Sequence, residues 1–324
     1  MKKIILSGVS IAAMSVAAPA FAQSSSTVTQ NGSGNAADVT QTNANTSTVT
    51  QTGDNNDADV TQTLGTANTS TVSQDGTGPA SATVFQLGTN GTSSITQTAD
   101  SDSDIAVVFQ NFDADLSSAT ITQTGDALTT SANEALIDQS GGTGNTSVIS
   151  QSGNTNTVEN VQVGSTNDSD FTGSGTGNLA FIDQIGDGNS FIGGQAGDSN
   201  NMDINQNGTS GISVAFQDGA NSTATLNQSG LGNESVLDQG FIAGADGNSI
   251  AVDQTGDGNL SLINQGFDAV GTNLEITINQ SGDNNISTVD QSGDANTLTV
   301  NQLTDGNGSF VTQSGAGNSL VVNQ

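Results

Sequence analysis

The chain has 324 residues, 41 of them glycine, with 32 acidic residues against two basic ones and no histidine, cysteine, tryptophan or tyrosine. This composition excludes nucleic acid and anionic membranes as electrostatic partners, and disulfides as the staple of the fold. It also leaves catalysis without nucleophile–base pairs, phosphate cradles or the usual zinc ligands.

In chain order, the first element is a secretory signal. Lys2 and Lys3 precede an apolar run from Ile4 to Ala18, and Ala20-Phe21-Ala22 supplies a small-x-small cleavage site before Gln23. A transmembrane anchor fits less well, because the apolar core is short and no later segment reaches the ~18 consecutive apolar residues a span needs. The expected division is a signal peptide over residues 1–22 and a secreted chain over 23–324.

From Gln30 onward the sequence repeats. Glutamine recurs, most often every 11 residues, at Gln30, Gln41, Gln51, Gln62 and Gln74 and on to Gln254, Gln265, Gln280, Gln291, Gln302, Gln313 and Gln324. The one double step, from Gln162 to Gln184, has Gly173 at its midpoint and completes a series of 26 units. A clean unit, QSGDANTLTVNQ from Gln291 to Gln302, is a Gly-bearing turn followed by residues alternating between two faces, which predicts a strand.

Three columns share the glutamine face. Two residues before Gln stands an aliphatic residue, as in Val39, Val60, Ile263 and Val300. Six before stands Asn, as in Asn259, Asn285, Asn296, Asn307 and Asn318. Four before, odd units carry Ser (Ser47, Ser70, Ser261, Ser287) and even units Ala or a larger aliphatic residue (Ala58, Ala82, Ile276, Leu298). The true repeat is therefore about 22 residues, with two unlike strands per coil. This predicts an all-β fold, a two-sheet β-solenoid or β-helix of about 13 coils. At the inter-strand spacing the rod would be ~60 Å long.

Folding each coil back on itself sets Gln opposite Asn and the serine column opposite the aliphatic one. The core is then a thin apolar seam between polar margins. Each Gln or Asn amide can donate to one neighbouring coil and accept from the other. The longest insertions, after Gln123, Gln239 and Gln265, fall at the turn from an odd strand to an even one. Asn160, Phe171 and Gly193 in aliphatic positions, with Gly173 in place of Gln, mark the region between them as the expected weak place.

The unit QTGDNNDADVTQ, Gln51 to Gln62, has Gln, Gly, Asn, Ala and Gln at the fixed positions of the curlin repeat, and units 254–265 and 313–324 keep its Gln, Gly, Asn and Gln. On these motifs the chain resembles the curlin-repeat family, the subunits of curli-type functional amyloid fibres. The resemblance implies a structural, non-enzymatic protein of a bacterial extracellular matrix. It also implies export through an outer-membrane curli secretion apparatus, a nucleator subunit as partner, and templated self-polymerisation for biofilm and adhesion.

Three further features carry expectations. Asp257, Asp283 and Asp305 occupy one turn position in three successive coils; Asp suits turns, and stacked carboxylates are also a candidate Ca²⁺ site. The outward face of the first five odd strands holds hydroxyl residues throughout, among them Thr27, Thr29, Thr48, Thr50, Thr71, Thr96, Thr120 and Thr122. Thr suits exposed strands, and an uncharged face permits lateral packing of fibres. A hydroxyl lattice binding ice or another surface is the alternative, and a calcium-dependent matrix protein a third. The ladder also runs to Gln324 and starts close to Ser26, which leaves strand edges for addition of a second copy.

Overall fold

A computed structural model describes residues 23–76, 78–98, 103–125, 132–240, 246–266 and 272–324. The expected signal peptide lies outside the described residues, as do residues 126–131, 241–245 and 267–271 of the expected insertions. Strands alternate along the chain between two sheets, each 13-stranded and parallel. The first sheet runs from Ser25–Asn31 to Gly308–Gln313 and the second from Ala36–Gln41 to Ser319–Asn323. Parallel strands need a crossover connection. Here the crossover for each sheet is a strand of the other, so one strand of each makes a coil, numbered below from the N-terminal end.

The register is the one the columns predict. Gln30 stands on Gln51, Val28 on Val49 and Ser26 on Ser47 in the first sheet; Gln280 stands on Gln302 and Ile278 on Val300 in the second. The glycine two residues after Gln is fixed by the stack. Gly53 has φ 99°, and a Cβ there would lie 1.6 Å from the Gly76 carbonyl oxygen of the next coil, so no side chain fits. Two residues further on the arch needs a left-handed residue, supplied by Asn55 (φ 62°), Asn284 (φ 58°) and even Ala295 (φ 51°).

The core is one continuous seam of buried aliphatic residues, including Val49, Val60, Ile95, Ile137, Ile204, Leu237 and Val300. The facing of serine and aliphatic columns is directly visible where Asn160 replaces an aliphatic residue: its Nδ2 donates to Ser147 Oγ of the opposite sheet at 2.7 Å.

The expected weak place is differently built. From Gln151 to Gln239 every step is 11 residues, and strands such as Asp168–Thr176, Leu179–Asp187 and Ser190–Asp198 extend to nine residues. Without insertions the turns stack as well, and strand pairing runs on into them. Bulk is also conserved. A Cβ on Gly173 would lie 3.1 Å from Phe171 Cε1, and one on Gly193 2.4 Å from Phe191 Cζ, so each ring occupies the space of a missing neighbour. Both rings are fully buried.

All the undescribed internal stretches join a first-sheet strand to a second-sheet strand. The strands that flank each expected insertion therefore belong to the two different sheets. In the connections that return to the first sheet, Ala114–Asp115 and Gly142–Thr143 form a short parallel pair.

Candidate assembly surfaces

The glutamines form two ladders. In the second sheet each Nε2 from Gln41 to Gln302 donates to the Oε1 of the glutamine in the next coil, at 2.6–3.1 Å, in twelve unbroken links. In the first sheet the same bond, at 2.7–3.0 Å, joins Gln30 through Gln74 to Gln151, and Gln195 through Gln265 and Gln291 to Gln313. From Gln51 onward the second N–H of each amide crosses to a backbone carbonyl of the facing strand, as from Gln51 to Ala36 at 2.7 Å and from Gln302 to Ile286 at 2.9 Å. Only nitrogen can donate to a carbonyl, so this crossing bond fixes how each amide is turned. The ladders therefore have a direction: oxygen toward the N-terminal end, N–H toward the C-terminal end.

At Gly173 the first ladder is interrupted. Gln151 gives its amide hydrogens to the Glu134 and Asn156 carbonyls at 3.0 and 3.1 Å, and Gln195 Oε1 is buried without a partner. An unpaired buried acceptor costs about 1–3 kcal/mol.

The asparagines are clamps to backbone rather than an amide–amide ladder. Asn259 donates to the Gly282 carbonyl and accepts from Asn285 N–H, both at 2.9 Å. Asn285 accepts in the same way from Asn307 N–H, and Asn296 from Asn318 N–H while donating to the Gly315 carbonyl. Asn is one methylene shorter than Gln and sits at the corner of the arch, so its amide meets the turn of the next coil first. Asp acts at the same turn. Asp257 Oδ1 accepts from Leu231 N–H, Asp283 Oδ1 from Asp257 N–H and Asp305 Oδ1 from Asp283 N–H, each at 2.9 Å. One oxygen of each candidate calcium ligand thus caps a turn, and among the described residues no three acidic side chains converge on a common point. Asp54 does the same for Ser33, whose hydroxyl and N–H hold its carboxyl below the usual carboxylate range.

On the outer face of the first sheet, Thr27, Thr48, Thr71, Ser94 and Thr120 stand in register, as do Thr29, Thr50, Ser73, Thr96 and Thr122. The structure brings the predicted hydroxyl columns into one lattice. Further along, the same outward columns turn apolar from coil 8, and the second sheet carries an apolar stretch over coils 3–7. The sequence reading missed both stretches; following the outward columns past coil 5, and along even strands, is the signal that finds them. Several outward carboxylates are pushed above the usual range by burial: Asp138 by burial alone, Asp183 with help from Asp203, Asp238 with help from Asp218, and Asp59 with help from Asp38 and Asp57.

Among the described residues, the four strands of coils 1 and 13 have a lateral partner on one side only. The seam is part-open there, at Val28 and Val39 and at Val311 and Val322. Coil 1 presents the amide oxygens of Gln30 and Gln41, and coil 13 the amide nitrogens of Gln313 and Gln324.

Residues 42–76 and 271–303, which fall in coils 2–3 and 11–12, match the curlin associated repeat. This chain carries curlin repeats. No curated protein matches it. Each matched stretch holds three strands and three ladder glutamines, Gln51, Gln62 and Gln74 in one and Gln280, Gln291 and Gln302 in the other, and the same two-sheet strand order continues between and beyond them. The repeat is a structural, non-enzymatic module.

Proposed function

We propose that the chain is a structural subunit of an extracellular curli-like amyloid fibre, in which solenoids add head to tail in a biofilm matrix and at the cell surface. The observation that carries this reading is the direction of the glutamine ladders, with acceptors at one end and donors at the other. Head-to-tail contact satisfies both ladders, whereas head-to-head contact sets oxygen against oxygen. A heterologous contact of this kind does not close and generates filaments. The junction repeats an internal step: Val311 would meet Val28, Ser309 Ser26 and Gln324 Gln41, the pairings already made inside the chain. Residues 1–22 serve as the export signal, a curli-type outer-membrane apparatus as the route, and a nucleator subunit as the template for the first coil.

The test is incubation of purified residues 23–324 followed by electron microscopy and fibre diffraction. Unbranched fibres with reflections near ~4.8 and ~10 Å are expected. A chain that remains monomeric refutes the proposal. The in-register hydroxyl columns favour a second reading, a monomeric solenoid that binds ice or another ordered surface. It predicts thermal hysteresis that is lost when Thr48, Thr71 and Thr120 are replaced by bulky residues.

A further inference from the structure

Each sheet carries a main apolar patch on its outer face, the two displaced along the rod, with Phe310 and Val321 exposed beyond them in coil 13. On the first sheet Ile192, Ile212, Phe216 and Ile286 are 40–49 % exposed, joined by half-buried Val214 and Leu262, over coils 8–12. On the second, Ile105, Phe109, Phe181 and Ile185 are 37–44 % exposed over coils 4–7, and Phe85 of coil 3 packs edge-on against Phe109 with ring centroids 6.0 Å apart. The first patch is notched. Gly194 has no side chain, and beside Phe216 and Ala196 it leaves a hollow of about 410 Å³.

We propose that these patches pair solenoids side by side, the first-sheet patch of one copy laid on the second-sheet patch of another. Five coils of six-residue strands present ~450 Å² in outline. Two such faces bury roughly 1,000 Å², the lower bound for a specific interface. The patches match in extent and character, and one is hollowed where the other bears projecting rings. No Lys, Arg or His stands anywhere in residues 23–324, so the chain offers an acidic partner no charge complementarity. A basic partner drawn to the carboxylates within these faces is the other outcome of the test, because salt weakens that attraction and strengthens self-pairing. Asp138, Asp183 and Asp238 stand within the patches and repel while charged, so salt strengthens the pairing.

Pairing on faces raises mass per unit length at least twofold, whereas end-to-end addition changes length alone, so the two are read separately. The test is small-angle scattering of residues 23–324 at raised salt, with scanning transmission microscopy on any filaments. Wild type carries both patches and should show at least twice the mass per length of one solenoid, since a first-to-second-sheet contact leaves a free patch on each outer copy. Ile212→Thr/Val214→Thr/Phe216→Thr and Phe85→Thr/Phe109→Thr/Phe181→Thr should each fall to the single value, and an equimolar mixture of the two should return to double. Thr already occupies these outward positions at Thr48 and Thr50, and circular dichroism checks that the variants keep their sheets. If a triple variant does not fold, Phe216→Thr and Phe109→Thr alone should shift the transition to higher protein concentration. Wild type at the single value overturns the proposal, as does loss of pairing in one variant set but not the other, which would mean like-on-like contact.

Discussion

The gap in the first ladder sets up a test of how a missing rung is tolerated. Gly173 lacks the glutamine side chain, and the Phe171 ring sits where it would run. Changing either residue alone should therefore destabilise. Phe171→Val, the residue type at Val49 and Val72, leaves a cavity and should cost about 2–3 kcal/mol. Gly173→Gln forces a Cβ to 3.1 Å from the ring and should cost about 1–3 kcal/mol through overpacking. Together they should stabilise. The backbone at Gly173 is not in the left-handed region, so a side chain is allowed there. The new amide would give Gln195 Oε1 its donor, about 1–3 kcal/mol, and accept from Gln151, about 1 kcal/mol. Ordering the glutamine side chain costs up to about 2 kcal/mol. The net is a gain of about 1 kcal/mol, and the coupling between the two sites is about 4 kcal/mol or more.

In a solenoid each coil is held mainly by its neighbours, so the effect is local. Amide hydrogen exchange along Asp168–Thr176 and its partner strands reads it directly, with urea midpoints as a second measure. Two single changes that add to within about 0.5 kcal/mol of the double would refute the reasoning. The ring would then not be standing in for the rung.

Other expectations follow from the same geometry. Gln254→Leu leaves Gln228 without its acceptor and Gln280 without its donor, and should cost about 2–5 kcal/mol in unfolding free energy. Ser261 and Ser287 have buried hydroxyls with no protein partner, while coil 5 uses Ala119 in that column; Ser261→Ala and Ser287→Ala should leave the melting temperature unchanged or raise it. Gly293 has φ 97° and its Cβ would lie 1.9 Å from the Gly315 oxygen, so Gly293→Ala should cost about 2 kcal/mol or more and speed exchange in coils 12 and 13. The raised carboxyls of Asp59, Asp138, Asp168, Asp183 and Asp238 favour the folded protein when protonated. Their contribution is full below the unfolded value near 3.8 and is lost as pH rises through their folded values. Thermal stability should therefore rise on acidification toward pH 4, and a melting temperature that falls steadily from pH 7 to 4 would contradict this. Asp54 acts oppositely, its share being present above 3.8 and lost below.

Much of the fold was legible because the repeat is one-dimensional. A column such as Gln280, Gln302, Gln324 needs only a constant strand period, and the alternation of Ser287 with Leu298 announces two unlike strands. What depended on the arch was not legible. Whether Asn259 meets another amide or a backbone carbonyl turns on a difference of one methylene at a corner whose shape the sequence does not state. The substitutions around Phe171 and Phe191 looked like defects because each was judged within its own column. The compensating ring belongs to the column beside it, two residues earlier along the same face. The outer-face patches were readable in principle, since Ile192, Val214 and Phe216 occupy the outward columns that hold hydroxyls in the first coils.

The two assembly directions draw on different chemistry, and each limits the other. Along the axis, contact is made by directional amide bonds and by strands that must stay in register. A junction between molecules is worth about one coil step, while the chain already holds twelve such steps internally in each sheet. Filaments built on ends alone would break at their junctions first. Across the axis, contact is apolar and confined to coils 8–12 on one face and coils 3–7 on the other. Two copies running in the same direction then pair with an offset of about five coils, or ~24 Å. Each end-to-end junction lies against the middle of a neighbouring solenoid, which bridges it. Variants with a weakened face should accordingly grow filaments that fragment more readily under shear at unchanged ladder chemistry. If shear fragmentation were identical in wild type and the Phe216→Thr set, the lateral contact would carry no load across the junctions.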